Sequence, residues 1–335
     1  MWLDSLRGLA ALAVVVFHLD LVASITGSRW FAEHISLGIA GVMTFFLISG
    51  YIIPASLERR GDLAEFWIGR VFRIYPLIIV VVAIMTFVGH TELKGPTGQG
   101  WELLGNLTLW HEFLGVHSAI GVLWTLAYEM LFYALTGALF VLKANQASAA
   151  HALGWCLAAV ALGSWWPAHI WPLDSGVVGP RPLIVLALVS LTLGIALILT
   201  GHLKLGSMII VVPNLALMIM NARVPFYESA LILATMFAGT AIFRAESGQM
   251  RAKSSFLAAG TVAIAGFVTI AFYTDDDAAV RSETFTWQAF AFGYGQRGLF
   301  SELAGSSGRR SGLVFSPGWA ALAIRCTSCT YLSSG

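Results

Sequence analysis

Two ionisable residues interrupt the apolar stretch near the start of the chain. In LDSLRGLAALAVVVFHLD, Arg7 and His18 lie eleven positions apart, which is about 16 Å along a helix axis. We predict a membrane-spanning helix at 6–25. His18 would then lie near the bilayer midplane, where an ionisable group is costly and marks a functional site. Its imidazole can accept a proton near neutral pH and later return it, as a general base does. The alternative is a neutral ring that is hydrogen-bonded to a neighbouring helix.

A carboxylate occupies another apolar stretch, GVLWTLAYEMLFYAL. We predict Glu129 about two turns inside a helix, among aromatic side chains that include Trp124 and Tyr128. A buried carboxylate needs a partner. It could stabilise an imidazolium on another helix, or bind a substrate hydroxyl with Trp124 and Tyr128 beside the same substrate. The alternative is a structural hydrogen bond to a tyrosine or tryptophan.

Two arginines lie close together in FWIGRVFRIYP. Arg70 and Arg73 have i, i+3 spacing and therefore share one face of a helix. Guanidinium groups bind phosphate oxygens through planar bidentate hydrogen bonds, so this pair could hold a phosphorylated ligand. Basic residues at a cytoplasmic helix end are equally what membrane topology alone requires.

Small residues interrupt the bulky run GVMTFFLISGYII. Ser49 and Gly50 lie near its centre. A small residue in a membrane helix permits either the close approach of another helix or the access of a ligand to the backbone. The sequence leaves both interpretations open.

The composition indicates which elements position these residues. Hydrophobic residues make up 58% of the 335-residue chain and charged residues 11%, and the mean hydropathy is +0.79; soluble proteins have roughly 25% charged residues. Apolar runs long enough to cross a bilayer recur along the chain. We therefore predict an all-α, polytopic integral membrane bundle of nine or ten helices. The predicted spans are 6–25, 36–56, 72–89, 121–142, 150–169, 182–200, 205–222, 227–244 and 254–273, with a shorter apolar segment at 285–296.

The distribution of basic residues predicts a cytoplasmic N-terminus in the inner (plasma) membrane. With that orientation, ten basic residues lie in inner loops and five in outer loops. The inner ten are Arg7, Arg59, Arg60, Arg70, Arg73, Lys143, Lys204, Arg244, Arg251 and Lys253, and the outer five are Arg29, Lys94, Arg181, Arg223 and Arg281. A net charge of +1 provides no basic field for nucleic acid.

A separate interfacial helix is predicted at 57–71. Leu63, Phe66, Trp67 and Val71 recur there at helical spacing, opposite several arginines. Such an amphipathic segment is typical of a helix that lies along a membrane surface. In the outer loop, by contrast, His90, His111 and His117 lack the spacing of a metal site, and we expect no metal.

Four of these segments together resemble one protein family. LDSLRGLAALAVVVFH, GVMTFFLISGYII, FWIGRVFRIYP and GVLWTLAYEMLFY, in this order, are similar to the signature segments of the membrane acyltransferase-3 family. The resemblance covers residues 3–140 and continues more loosely to 245. It implies a helical bundle that moves an acyl group, often acetyl, from cytoplasmic acyl-CoA to a hydroxyl of an extracytoplasmic glycan or lipid-linked sugar.

The same resemblance implies roles for individual residues. His18 matches the essential histidine, as a general base or as the carrier of an acyl intermediate, and Arg7 matches the arginine of the same helix. Arg70 and Arg73 match the basic pair near the donor, and Glu129 matches the carboxylate of W-(S/T)-L-x-x-E. The expected donor is acyl-CoA, acetyl-CoA in particular, with no bound cofactor. The expected partners are a carbohydrate or lipid-linked acceptor and membrane lipid.

The last segment departs from the family pattern, so we divide the chain into an acyltransferase domain at 1–296 and an aberrant tail at 297–335. The family closes with a helix carrying G-x-x-S-Y-(S/T)-L-Y-x-x-H-x-P, which this tail lacks. Back-translating PGWAALAIRCTSCTYLSSG and reading it two bases later permits W-L-G-R-I-S-Y-T-L-Y-F-L-H-L-P-V-I. We hypothesise a frameshift between 290 and Pro317, which would make Cys326-x-x-Cys329 neither a redox site nor a zinc site.

Two other functions fit parts of the sequence. A transporter or flippase also places charges and glycines within membrane helices, although the sequence contains no internal repeat. An inactive remnant of an acyltransferase would follow if the altered tail prevented the site from closing.

Overall fold

The computed structural model of this protein describes residues 2–19, 24–25, 37–88, 99–163, 165–166 and 180–273. Helices dominate these residues, which include no strand. The helices are α1 (Trp2–His18), α2 (Leu37–Arg60), α3 (Leu63–Phe87), α4 (Gln99–Leu107), α5 (His111–Leu114), α6 (Trp124–Val141), α7 (Ser148–Leu162), α8 (Arg181–Leu199), α9 (Leu203–Asn221), α10 (Phe226–Glu246) and α11 (Ala252–Tyr273). A helix satisfies its backbone hydrogen bonds internally, as a chain in lipid must. The predicted all-α class is therefore confirmed.

Six of the described helices are long and apolar enough to cross a membrane. They are α2, α3, α6 with its preceding 3-10 turn, α8, α9 and α10. Helices α1, with 17 residues, and α7, with 15, are shorter than these six, and α11 is not among them. The predicted total of nine or ten spans stays a prediction, and the segment 285–296 and the tail at 297–335 lie outside the described residues.

The predicted interfacial helix at 57–71 is wrong. Helix α2 continues to Arg60, and Gly61 then takes a left-handed φ of +70° that ends it. Asp62 caps the next helix, its carboxylate accepting from the amides of Ala64 at 2.7 Å and Glu65 at 3.1 Å. A glycine and an N-capping aspartate in sequence therefore divide the segment between two long helices.

The apolar residues of that segment face the bundle. Leu63, Phe66 and Trp67 are buried, and Val71 is half-buried. Their helical spacing does mark one apolar face, but the surface that this face packs against is protein. Periodicity identifies an apolar face without identifying what covers it.

Helix α10 forms the centre of the bundle and packs on α2, α6, α7 and α11. It crosses α2 closely, where Gly50 meets the backbone of Met236 and Gly239 meets the backbone of Leu47. A Cβ at either glycine would overlap those backbone atoms. Thr240 donates its hydroxyl to the carbonyl of Gly50 at 2.8 Å across the same contact. Two glycines and one threonine thus bring the helix backbones together.

One end of the bundle gathers the ends of α2, α6 and α10, and we call it the basic end because it carries Arg59, Arg60, Lys143 and Arg244. Arg244 is fully buried there and donates to the carboxylate of Glu58. That carboxylate also accepts from Asn145 Nδ2 at 2.7 Å. A buried ion pair with added hydrogen bonds therefore ties three helices together.

The opposite end is held by the segment between α4 and α6. The side chain of Asn106 bridges this segment, donating to the carbonyl of His117 at 2.8 Å and accepting from the amide of Ala119 at 2.8 Å. Asn221 Nδ2 donates to the carbonyl of Phe113 at 2.9 Å, which joins the segment to the end of α9. Side chains thus satisfy the backbone groups of a segment that has little regular structure.

Candidate active site

Arg70 lies inside the bundle, two turns from the start of α3. Only 7% of the residue is exposed, and its guanidinium lies 5.0 Å from the ring centroid of Phe66 and 4.8 Å from that of Tyr133. A planar, weakly hydrated guanidinium is suited to such a position, and each ring contact contributes about 0.5–2 kcal/mol. Arg70 is therefore a cation packed inside the bundle. A basic residue that only oriented the helix in the membrane would not need to be buried.

Tyr133 connects this cation to the carboxylate on α6. Its hydroxyl donates to Glu129 Oε1, and the two residues have the i, i+4 spacing of one helix face. Arg70 lies over the ring of this tyrosine, and Arg73 follows Arg70 by one turn of the same helix. We call Arg70, Arg73, Glu129 and Tyr133 the charged cluster, which has two cations and one carboxylate. The sequence prediction assigned the first three to the site, and its alternative for Glu129, a structural hydrogen bond to a tyrosine or tryptophan, is the contact that the structure contains.

The two arginines of the cluster differ in their surroundings. Arg73 is one turn beyond Arg70 on α3, and its side chain is exposed, whereas Arg70 is buried. An exposed guanidinium can reach an incoming anion directly. The buried guanidinium of Arg70 can attract the same anion electrostatically from inside the bundle. Its burial is only weakly unfavourable, because its flat faces are already covered by rings.

Trp124 and Tyr128 belong to an aromatic cluster at the start of α6. The Tyr128 ring makes edge contacts with Phe46 at 6.2 Å and Phe113 at 5.2 Å, and its hydroxyl is hydrogen-bonded to Ser229 Oγ at 2.8 Å. Tyr128 is buried, while Trp124 is half-buried and packs on Phe46 at 5.9 Å. Both side chains pack helices together here, and their contact with a substrate stays a prediction.

The structure gives Gly50 the packing role that the sequence left open. Its Cα faces the backbone of Met236, so helix α10 occupies the space of a side chain. Ser49, its neighbour, is half-buried. Access of a ligand to this backbone stays a prediction for Ser49 and is sterically disfavoured at Gly50.

His18 is the last residue of α1, whereas the sequence prediction placed it inside a longer helix at 6–25. Its side chain is exposed. The preceding Phe17 packs against Gly38, the second residue of α2, where a Cβ would lie 2.5 Å from the ring. His18 therefore lies beside the beginning of α2 and not at the middle of a helix pair. Spacing from Arg7 gave the distance along the helix correctly but could not show where the helix ends.

Arg7 lies nearer the start of α1. It is half-buried, and its guanidinium is 4.0 Å from the carboxylate of Asp4 on the same helix. Within the described part of the chain, no contact joins Arg7 or His18 to the charged cluster. The structure thus presents the predicted ionisable residues in two groups, one on α1 and one between α3 and α6.

A further ionisable group, at the opposite end, was not assigned to the site by the sequence. His111 and Glu112 are buried, and Arg223 Nη1 lies 3.9 Å from Glu112 Oε1. Burial lowers the pKa of His111 from 6.5 to about 3, aided by the positive charge of Arg223. Burial raises the pKa of Glu112 from 4.5 to about 7 against the opposing effect of Arg223. Both side chains are thus stabilised in their neutral forms near neutral pH.

Comparison with protein families decides what kind of protein carries these groups. Residues 1–317 match the acyltransferase domain family that the four segments resemble. The chain belongs to the acyltransferase-3 family.

Several relatives of this acyltransferase-3 chain are O-acetyltransferases. The peptidoglycan O-acetyltransferase OatA of Listeria monocytogenes is 32% identical over 151 residues, which are 39% of this chain and 22% of that protein. The O-acetyltransferase OatA of Staphylococcus aureus is 28% identical over 153 residues, 40% of this chain and 23% of that protein. The chain thus spans under a quarter of these relatives' length. No solved structure matches it.

Proposed function

We propose that this membrane protein of the acyltransferase-3 family transfers an acyl group, acetyl in particular, from cytoplasmic acyl-CoA to a hydroxyl of an extracytoplasmic glycan or lipid-linked sugar. Family membership supports an O-acyltransferase and implies an acyl donor. The relatives named as O-acetyltransferases support acetyl as the group and a glycan as the acceptor. The observation that carries the proposal is the charged cluster around Arg70.

The charged cluster would bind the donor through its phosphates. Arg73 is exposed and would meet the phosphates first, while Arg70 would add its charge from within the bundle. Tyr133 donates a hydrogen bond to Glu129, and two guanidinium groups against one carboxylate leave the cluster net positive. The basic end, to which the start of α3 connects through Gly61 and Asp62, would face the cytoplasm.

His18 would act at the other end of the path. Along the helix axes Gly38, which contacts Phe17, is about 33 Å from Arg60, and Arg70 is about 10 Å from Leu63. Measured along the helix axes, Arg70 is thus roughly 20 Å from Gly38, beside which His18 lies. A long, extended donor whose phosphates bind at the cluster would present its thioester toward His18.

The chemical step follows from the imidazole. His18 would take the proton from the acceptor hydroxyl as its oxygen attacks the thioester carbonyl, and the proton would pass to the leaving CoA thiolate. The C–S bond breaks and a C–O bond forms. The other route is attack by the imidazole itself, which gives a His18-acyl intermediate that the hydroxyl then resolves.

Labelled acetyl-CoA supplied to membranes containing this chain tests the proposal. We expect label in a glycan or lipid-linked product, loss of label transfer in His18→Ala, and retention in the control His117→Ala, whose side chain is 46% exposed in the segment between α4 and α6. Transfer that survives His18→Ala would refute the role of the histidine. Label retained on denatured protein in the absence of acceptor would select the acyl-enzyme route.

A reframed chain belongs in the same experiment because the tail is predicted to be altered. The nucleotide sequence comes first, since stop codons in the shifted frame between 290 and Pro317 would refute the frameshift. If only the reframed chain transfers label, the chain printed here is an inactive form of the enzyme. Transfer by neither chain, with both present in the membrane, would count against the proposed function.

A further inference from the structure

A cleft of about 870 Å³ lies at the basic end, between the end of α6 and the turn that joins α8 to α9. Phe140, Val141 and Leu205 provide apolar walls, and Lys143, His202 and Lys204 provide basic groups. All three basic residues are exposed. Among the described residues that line the cleft there is no carboxylate. Its charge therefore favours an anion.

The backbone of Lys143 differs from what its residue type prefers. Lys143 ends α6 with a left-handed φ of +58°, and the next amide, that of Ala144, donates to the carbonyl of Leu139 at 2.8 Å. Glycine is the usual residue at this position of a helix end. The facing turn follows the rule, since Gly201 has a φ of +89°. A lysine at a position that favours glycine indicates a functional role for the lysine side chain.

Lys204 is also placed against local preference. It lies in the first turn of α9, which contains no acidic residue and whose preceding His202 makes no capping hydrogen bond through its side chain. The N-terminus of a helix carries a partial positive charge, so a cation there is unfavourable unless an anion is near. An anion in the cleft would be attracted to Lys143, Lys204 and the amides of this turn together.

The surroundings of the cleft indicate the class of ligand. Helices α6 and α9 are both long and apolar enough to span a membrane, and Leu203 and Leu205, beside the basic groups, are 38% and 54% exposed. A basic cleft between membrane helices with apolar walls is the kind of site that binds an acidic lipid headgroup. We propose that it binds an anionic phospholipid, with the headgroup phosphate at Lys143 and Lys204 and an acyl chain along Phe140 and Leu205.

The lipid would also stabilise the bundle. Asn145 and Gln146 line the cleft, and they hydrogen-bond to the two members of the buried ion pair, Glu58 at 2.7 Å and Arg244 at 3.4 Å. A ligand that orders this segment therefore supports the junction of α2, α6 and α10. Binding to the folded state raises its stability in proportion to ligand occupancy.

The test uses the full chain in nanodiscs of phosphatidylcholine with or without phosphatidylglycerol. Thermal unfolding and native mass spectrometry measure phosphatidylglycerol-dependent stabilisation and retained lipid. We expect Lys143→Gly with Lys204→Gln to weaken phosphatidylglycerol binding about tenfold or more, since each basic residue contributes attraction to an acidic lipid. Lys143→Gly retains the left-handed turn, so the fold is expected to survive.

Lys253→Gln is the matched control. Lys253 is exposed in the first turn of α11, on the predicted inner side, and it does not line the cleft. Equal phosphatidylglycerol binding by the wild type and the double variant would overturn the proposal, as would an equal loss in the control. If added acetyl-CoA, and not phosphatidylglycerol, loses binding in the double variant, the cleft takes donor phosphates and the lipid assignment is overturned. None of these outcomes depends on acyl transfer.

Discussion

Gly50→Ala is expected to destabilise the protein by about 1–4 kcal/mol, because overpacking and a weakened hydrogen bond outweigh the gain in helix propensity. The new Cβ would overlap the backbone of Met236, and backbone cannot move aside as a flexible side chain does. Helices α2 and α10 must separate, which also lengthens the 2.8 Å hydrogen bond from Thr240 to the Gly50 carbonyl. Unfolding in detergent, followed by helicity, measures the change.

Gly154→Ala provides the matched control. Gly154 is an exposed residue of α7 with nothing within 4 Å of an added Cβ. There the same substitution is expected to stabilise the helix by about 0.5–1 kcal/mol. Equal unfolding midpoints for Gly50→Ala and the wild type would refute the packing role. Unchanged stability with lost acyl transfer would instead support the ligand-access interpretation of the Ser49-Gly50 pair.

Three further predictions concern buried polar groups. Tyr133→Phe removes the donor to Glu129 and should lower the initial rate of label transfer about tenfold or more, since a hydrogen bond to a charged group contributes about 1.5–3 kcal/mol. Arg244→Gln leaves Glu58 without its cation and should cost about 3–5 kcal/mol, measured by detergent unfolding. Between pH 4.5 and 6.5, the stability of Glu112→Gln should rise with pH while that of the wild type stays nearly constant, as thermal unfolding at a series of pH values would show.

The sign of the pH effect follows from the two pKa values. Native Glu112, with its pKa raised to about 7, holds a proton that the unfolded chain releases near 4.5, so its contribution to stability is lost as the pH rises between these values. Native His111, with its pKa lowered to about 3, stays neutral while the unfolded chain is protonated below 6.5, so stability rises with pH over that range. In Glu112→Gln only the contribution of His111 remains, so the stability of the variant rises with pH.

Each of these predictions has a control. Tyr51→Phe removes a hydroxyl that donates to Glu246 at 2.6 Å, outside the charged cluster, and it should preserve the rate, so an equal loss in both tyrosine variants would contradict the first prediction. For the second prediction, a double-mutant cycle combines Arg244→Gln with Glu58→Gln. Additive changes in the free energy of unfolding would exclude an interaction between the two side chains. A Glu112→Gln variant whose stability stays constant with pH would refute the opposing pKa shifts.

Several features of this site were accessible from local pattern. Gly61 ends one helix and Asp62 caps the next, and sequence rules describe both signals. The prediction of one helix at 57–71 did not take them into account. Tyr133 lies four residues after Glu129 in a helix, so a partner for the carboxylate was available from spacing alone. The predicted need for that partner was correct, and the structure identifies it as Tyr133.

Other features depended on which helices meet. Arg70 and Arg73 share one helix face in sequence, but only the approach of α6 buries the first between Phe66 and Tyr133 and leaves the second exposed. His111 and Glu112 had no distinguishing pattern, because their pKa shifts arise from burial and from Arg223, more than 100 positions away in the chain.

The sequence by itself determined that this protein folds in a lipid bilayer, that it is helical and which family it belongs to. Those properties follow from composition, from the length of apolar runs and from four short segments, all of which are local along the chain. Tertiary structure alone decided that Gly50 meets Met236, that Arg70 is a packed cation and that His18 ends its helix beside Gly38. Each depends on contacts between residues far apart in sequence, and such contacts are set by the packing of whole helices, which no local pattern encodes.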